Sequence, residues 1–158
     1  VAENGGVMGR ELRMVPPDWE HPKKNGHYIP LYDGKDYREK AAKWIKDLIA
    51  WEKGTHPKSK ETKIRYFWDW EGDPPKEDDY MLVDVPMSER THFRLYESTS
   101  EGTPCGPVFA SLDDLCAWAE KNATTFADFT ATAAQWKEML LNDFVHAVDP
   151  KNPHVVFL

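Results

Sequence analysis

Two cysteines, Cys105 in a turn-rich stretch and Cys116 among helix-forming residues, are too few for a disulfide framework or a cysteine-built zinc site. A basic excess is missing as well. Lys and Arg number 20 against 27 Asp and Glu, a net charge of −7, which disfavours the phosphate contacts that dominate nucleic-acid affinity. The basic cluster Lys58, Lys60, Lys63 and Arg65 is surrounded by acids. No apolar run approaches the roughly 20 residues that cross a bilayer, and the first residues lack the basic and apolar regions of a secretory leader. The expectation is a soluble, unsecreted protein in a reducing compartment, with neither a membrane nor a nucleic acid as direct partner.

Metal and phosphate chemistry are also poorly served. His21, His27, His56, His92, His146 and His154 include no pair at the helical spacing of a metal site, and His21 lies near Asp18 and Glu20 only in a proline-rich loop. The loop at 98–104 lacks the glycine spacing and lysine of a phosphate cradle, and Glu97 and Glu101 would repel a phosphate. No cofactor is expected. Cys105 could serve as a nucleophile with His92 or His146 as base, but its turn-residue neighbours favour a small residue in a tight loop. Cys116 falls on an apolar helix stripe and reads as core.

What the chain does contain is a strand, loop and helix signature. His92 to Glu97 alternates, placing Phe93 and Leu95 on one face and Arg94 and Tyr96 on the other. Gly102, Thr103, Pro104, Gly106 and Pro107 then break pairing, and Val108-Phe109 offers a second short strand. Ser111 with Asp114 starts a helix over 112–122, whose Leu112, Leu115, Cys116 and Ala119 repeat at helical spacing. An earlier helix over 36–53 stops at Gly54, its apolar stripe running through Ala41, Trp44, Ile45, Leu48 and Trp51. A last helix begins near Thr132, with Gln135 completing a capping box and Trp136, Leu140 and Phe144 on one face.

Around these lie a short extended segment at 11–15, an ordered proline-rich loop at 18–34 pinned by Trp19, Tyr28, Ile29, Leu31 and Tyr32, and a β-prone aromatic run at 64–70. A short strand is expected at 80–85, and the apolar segment at 154–158 suits an edge strand. Together these predict an α+β fold: one compact domain over 11–158 with short antiparallel strands and about three amphipathic helices, preceded by a flexible arm at 1–10. In Phe67-Trp-Asp-Trp-Glu71, strand alternation allows Trp68 and Trp70 either to fill the core, the usual fate of large aromatics, or to present an interface.

Three blocks carry a likeness: Arg13-Met-Val-Pro-Pro-Asp-Trp-Glu-His-Pro22, then Trp70-Glu-Gly-Asp-Pro-Pro75 with Asp79-Tyr80, and above all Tyr96-Glu-Ser-Thr-Ser-Glu-Gly-Thr-Pro104 with Pro107-Val-Phe109. In these the chain resembles an uncharacterised family of small proteins encoded by tailed bacteriophages and prophages. Cys105-Gly106 stands where the family pattern has an apolar residue followed by serine, and the C-terminal segment differs from the usual ending. The family has no assigned activity, so no catalytic residue transfers. The resemblance implies a phage gene expressed in the bacterial host cytoplasm. With the acidic, aromatic-rich sequence it leads to the expectation of a non-enzymatic accessory protein that binds a host or phage protein. Trp68, Trp70, Glu71, Glu101 and Thr103 are the candidate binding residues. A minor virion component and an enzyme of unrecognised type are the alternatives.

Overall fold

The computed structural model describes residues 9–100, 102–142, 145, 147–149 and 151–157. The expected arm at 1–10 lies outside these except for Gly9 and Arg10, and so does Phe144. In chain order the elements are β1 (Arg10–Val15), β2 (Lys23–Lys24), β3 (His27–Tyr28), β4 (Tyr32–Asp33), α1 (Tyr37–Glu52), α2 (Phe67–Glu71), β5 (Tyr80–Met81), β6 (His92–Glu97), β7 (Thr103–Pro104), α3 (Leu112–Asn122), α4 (Ala133–Leu141), β8 (Ala147–Asp149) and β9 (Asn152–Phe157). The fold is α+β, with small, mostly antiparallel sheets and one helix, α2, beyond the three expected. The chain forms two compact units, one made of residues up to Leu31 with those from Val85 onward, the other Tyr32–Asp84.

The first unit is organised by a sheet of order β1-β6-β7, in which β1 runs antiparallel to β6 from Arg10 opposite Glu97 to Val15 opposite His92. The alternation in β6 behaves as its sequence demands. Leu95 joins a core with Leu115, Cys116 and Ala119 of α3 and Trp136, Met139 and Leu140 of α4. Ser111 Oγ accepts from Asp114 N, and the Thr132–Gln135 capping box is complete, so both helix starts follow the side chains that predict them. Glu120 also accepts from Ala133 N at 2.7 Å, giving one more unpaired amide of the α4 start a partner from α3.

The second strand of the hairpin is β7, not Val108-Phe109, of which only Phe109 pairs, in an isolated bridge to Phe93. Thr103-Pro104 can take that place because it forms the sheet edge, where a proline leaves no inner ladder bond unmade. Gly102 makes the approach possible. Its φ is +109°, its carbonyl accepts from Leu31 N at 3.0 Å, and a Cβ there would stand 1.8 Å from Leu31 O.

The opposite face of β1 and β6 carries Arg13, Arg94 and Tyr96, and it too is buried. The proline-rich loop covers it. Trp19 Nε1 donates to Tyr96 Oη at 2.9 Å, and His21 Nδ1 lies 2.9 Å from the same oxygen. His21 Nε2 lies 2.5 Å from Ile29 O, a carbonyl that only accepts, so Nε2 carries the proton and the neutral Nδ1 accepts from Tyr96. The proximity of His21 to Asp18 and Glu20 is thus not what holds it. Within the same loop Asn25 (φ 55°) and Gly26 (φ 80°) close β2 onto β3 in a two-residue turn.

The tail forms the hairpin β8–β9, so the expected C-terminal strand exists. Among the described residues no helix is long and apolar enough to cross a membrane.

In the Tyr32–Asp84 unit, α1 buries Trp51 and half-buries Ala41, Trp44 and Leu48, while Ile45 and Ile49 lie on its exposed side. The stripe is therefore narrower than expected, and Ile45 leaves it. The run at 64–70 is not a strand, because α1 holds both its ends. Trp51 Nε1 donates to Arg65 O at 2.8 Å and Trp44 Nε1 to Gly72 O at 3.0 Å, and Phe67 packs its ring against both indoles. The strand expected at 80–85 shortens to β5, which pairs in parallel with β4, because Leu82 at φ 59° turns the chain away.

Burial pushes the His21 pKa below its ordinary value, and Arg94 and Arg13 push in the same direction against the bond to Ile29. The folded pKa is the depressed one. The stability contributed by neutral His21 is therefore complete above about pH 6.5 and lost as pH falls through the folded pKa. Urea midpoints at about pH 7.5 and about pH 5 should separate further for the native chain than for His21→Gln; equal separations would remove His21 as the source.

Candidate functional site

The candidate aromatics Trp68 and Trp70 sit on α2, a short helix closed by Gly72. Helical rotation of about 100° per residue sends Phe67 into the core and Trp68 away from it, with Trp70 on the flank. Phe67 is fully buried, whereas Trp68 and Trp70 are 44% and 40% exposed. The reading in which both tryptophans fill the core is overturned, since it assumed strand alternation where the backbone is helical.

Neither ring is loose. Trp68 stacks on Tyr66 with centroids 4.8 Å apart and planes 13° apart, and the Arg65 guanidinium lies 5.2 Å from the Tyr66 ring. Trp70 stacks on Trp51 at 6.1 Å. Glu71, the last residue of α2, is exposed beside them.

Glu71 also borders an open groove of about 500 Å³ between α1 and the segment at 71–80. Tyr32 and Tyr80 are direct partners in the β4–β5 pair, their centroids 5.4 Å apart, and Tyr37 meets Tyr80 edge-on at 5.1 Å. Trp44, Pro74 and Pro75 add apolar surface, and Asp47, Glu71, Asp73 and Asp79 line the groove with Lys40, Lys43 and Lys76. Lys43 is hydrogen-bonded to Asp47, which raises the lysine pKa. Burial raises the Tyr80 pKa, with Tyr32 and Asp79 adding to it, so its phenol stays protonated at neutral pH. Sequence reasoning missed this groove. Gly72 and Pro74-Pro75 announce a loop, but nothing local announces that Tyr32 and Tyr80 pair.

The remaining candidates belong to the other unit. Thr103 lies in β7, half-buried, with Oγ1 2.6 Å from Ser100 Oγ, and Thr99 Oγ1 donates to Glu97 at 2.8 Å, so these hydroxyls are engaged within their own loop. Glu101 and His146 lie outside the described residues. The structure thus brings Trp68, Trp70 and Glu71 together on one helix, and Thr103 is not among them. Burial pushes the Cys105 thiol up to about 11, with Glu97 adding to the shift and Arg10 and Arg94 opposing it; Cys116 is likewise raised to about 11. Among the described residues no three His, Cys, Asp or Glu side chains converge as metal ligands. Comparison of the chain with protein-family models, with curated proteins and with solved structures finds no match.

Two outcomes follow from this geometry. Gly72 has φ 94° and ψ −177°, a region open essentially to glycine alone, so Gly72→Ala should destabilise the Tyr32–Asp84 unit by about 1–3 kcal/mol in chemical denaturation. Native Cys105 and Cys116, with thiolate fractions on the order of one in ten thousand at neutral pH, should react with a disulfide reagent far more slowly than in urea. Fast labelling of Cys105 in the folded protein would show that its burial does not protect it.

Proposed function

We propose that this is a non-enzymatic accessory protein of a phage or prophage that works in the cytoplasm of the bacterial host by binding a host or phage protein through the α2 face. The observation that carries the reading is the exposed pair Trp68 and Trp70, each stacked on a neighbouring ring. Tryptophan and tyrosine dominate binding energy where they are presented rigidly, because little side-chain freedom is lost on docking. Covering the exposed part of either indole is worth on the order of 2 kcal/mol of apolar burial. The exposed Ile64 beside Arg65 and Tyr66 extends the same surface in sequence. The phage setting is supported by the three sequence blocks that resemble the phage family, and the protein-binding class by the acidic, aromatic-rich composition.

The test is affinity capture from lysate of the bacterium that carries or receives the gene, comparing the native chain with Trp68→Ala. Trp68 is exposed and its ring stacks on the equally exposed Tyr66, so its removal should cost no more than about 1 kcal/mol of stability. Loss of about 2 kcal/mol would weaken a stoichiometric partner roughly thirtyfold. Trp70→Ala should also lose about 1 kcal/mol of stability with its Trp51 stack. Equal recovery by native chain and Trp68→Ala would sink the α2 face as the binding surface, and recovery of particle proteins alone would replace the accessory role with a virion one.

A further inference from the structure

The groove between α1 and the segment at 71–80 is distinct from the exposed rings of α2, and its chemistry selects a different kind of contact. Its floor is the Tyr32–Tyr80 pair, braced by Tyr37. Aromatic faces carry negative potential and attract cations, and Lys40 Nζ already stands 6.0 Å from the Tyr32 centroid. The acids around the floor are unequally used. Lys43 satisfies Asp47, while Glu71, Asp73 and Asp79 are exposed and make no ion pair among the described residues.

The lining carries four acids and three lysines, and with Asp47 paired to Lys43 the acids Glu71, Asp73 and Asp79 remain against Lys40 and Lys76, a balance that mildly favours a cation on the floor. The groove is open to solvent and of about 500 Å³, room for an extended side chain laid along it. A single small ion gains little here, because each exposed ion pair and each exposed cation–ring contact is weak alone. A ligand must make several at once, and must also cover Trp44, Pro74 and Pro75.

We propose that this groove binds an arginine- or lysine-bearing polypeptide segment of a protein partner, a cationic side chain resting on the Tyr32–Tyr80 floor against Glu71, Asp73 and Asp79. The polypeptide character of the ligand rests on the protein-binding reading above. Its chemistry rests on the groove alone. The aliphatic stem of an arginine or lysine suits the apolar wall while its head meets the acids, a division that a compact cation lacks.

The experiment titrates the full chain with a fluorescein-labelled peptide of alternating arginine and proline, read by anisotropy and by the indole N–H resonance of Trp44, which donates to Gly72 O beside the groove. Saturable binding with a shift of that resonance is expected, and the matching glutamate–proline peptide should not bind. Tyr32→Ala and Asp73→Lys should each weaken binding at least about fivefold, about 1 kcal/mol. Asp73 is exposed, so its replacement tests the site even if Tyr32→Ala unfolds the unit. Trp68→Ala should leave the peptide affinity unchanged. Equal binding by the native chain and both groove variants would show a general attraction to the acidic surface and overturn the proposal. So would absence of binding at millimolar peptide, or displacement by spermidine as potent as by unlabelled peptide, which would assign the groove to a free polyamine. If the peptide fails while capture remains Trp68-dependent, the groove inference falls and the α2 reading stands.

Discussion

The first unit depends on one strand being buried on both sides. β6 presents Leu95 to the helices and Tyr96 to the proline-rich loop, and neither retains meaningful contact with water. A two-stranded ribbon is marginal in water, and burial on a second face adds stability only if the polar groups there find partners. The Tyr96 hydroxyl meets that condition by accepting from Trp19 and donating to His21, while the Arg13 guanidinium lies 4.4 Å from the Tyr96 ring. Arg13 donates to Leu31 O at 2.7 Å and Arg94 Nε to Gly106 O at 2.6 Å, so two buried cations draw two loops onto the strand pair. Arginine suits this task because its planar, permanently charged head bonds to carbonyls while lying along aromatic rings.

The Tyr32–Asp84 unit solves a smaller version of the same problem with tryptophan. Two indole N–H groups on α1 take the carbonyls at either end of the aromatic run, and between them Phe67 fills the only inward position. The helix that results is too short to persist by itself. Its remaining aromatic surface faces outward as a consequence of how it is held, and stacking on Tyr66 and Trp51 limits its freedom. This stacked surface, bordered by Glu71, is the one on which the proposed partner binding rests. The groove proposed to take a cationic peptide is bordered by Glu71 as well.

Several parts of this architecture were legible from local signals. The caps at Ser111 and Thr132, the alternation in His92 to Glu97 and the Gly54 stop all act over a few residues, and the structure realises each. The hairpin turn at Asn25-Gly26 is not among the sequence expectations, which take 18–34 as a loop throughout. The run at 64–70 misled because β-propensity describes how aromatics fit a pleated surface, and here the surface offered was a helix. The β7 edge was hidden by its proline, which argues against any strand until the sheet order makes that position an edge.

By itself the sequence determined the α+β class, three helices and their caps, the central strand, and the acidic balance that disfavours nucleic acid. Each of these rests on periodicity, propensity or summed charge, which are properties of neighbouring residues. Only the tertiary structure decided that Trp68 and Trp70 lie outside, that His21 is bound between Tyr96 and Ile29 with its pKa lowered by burial, and that Tyr32 meets Tyr80 to floor a groove. Those outcomes depend on which distant carbonyls and rings come into contact, and contact between residues far apart in the chain is set by the packing that satisfies all buried polar groups together.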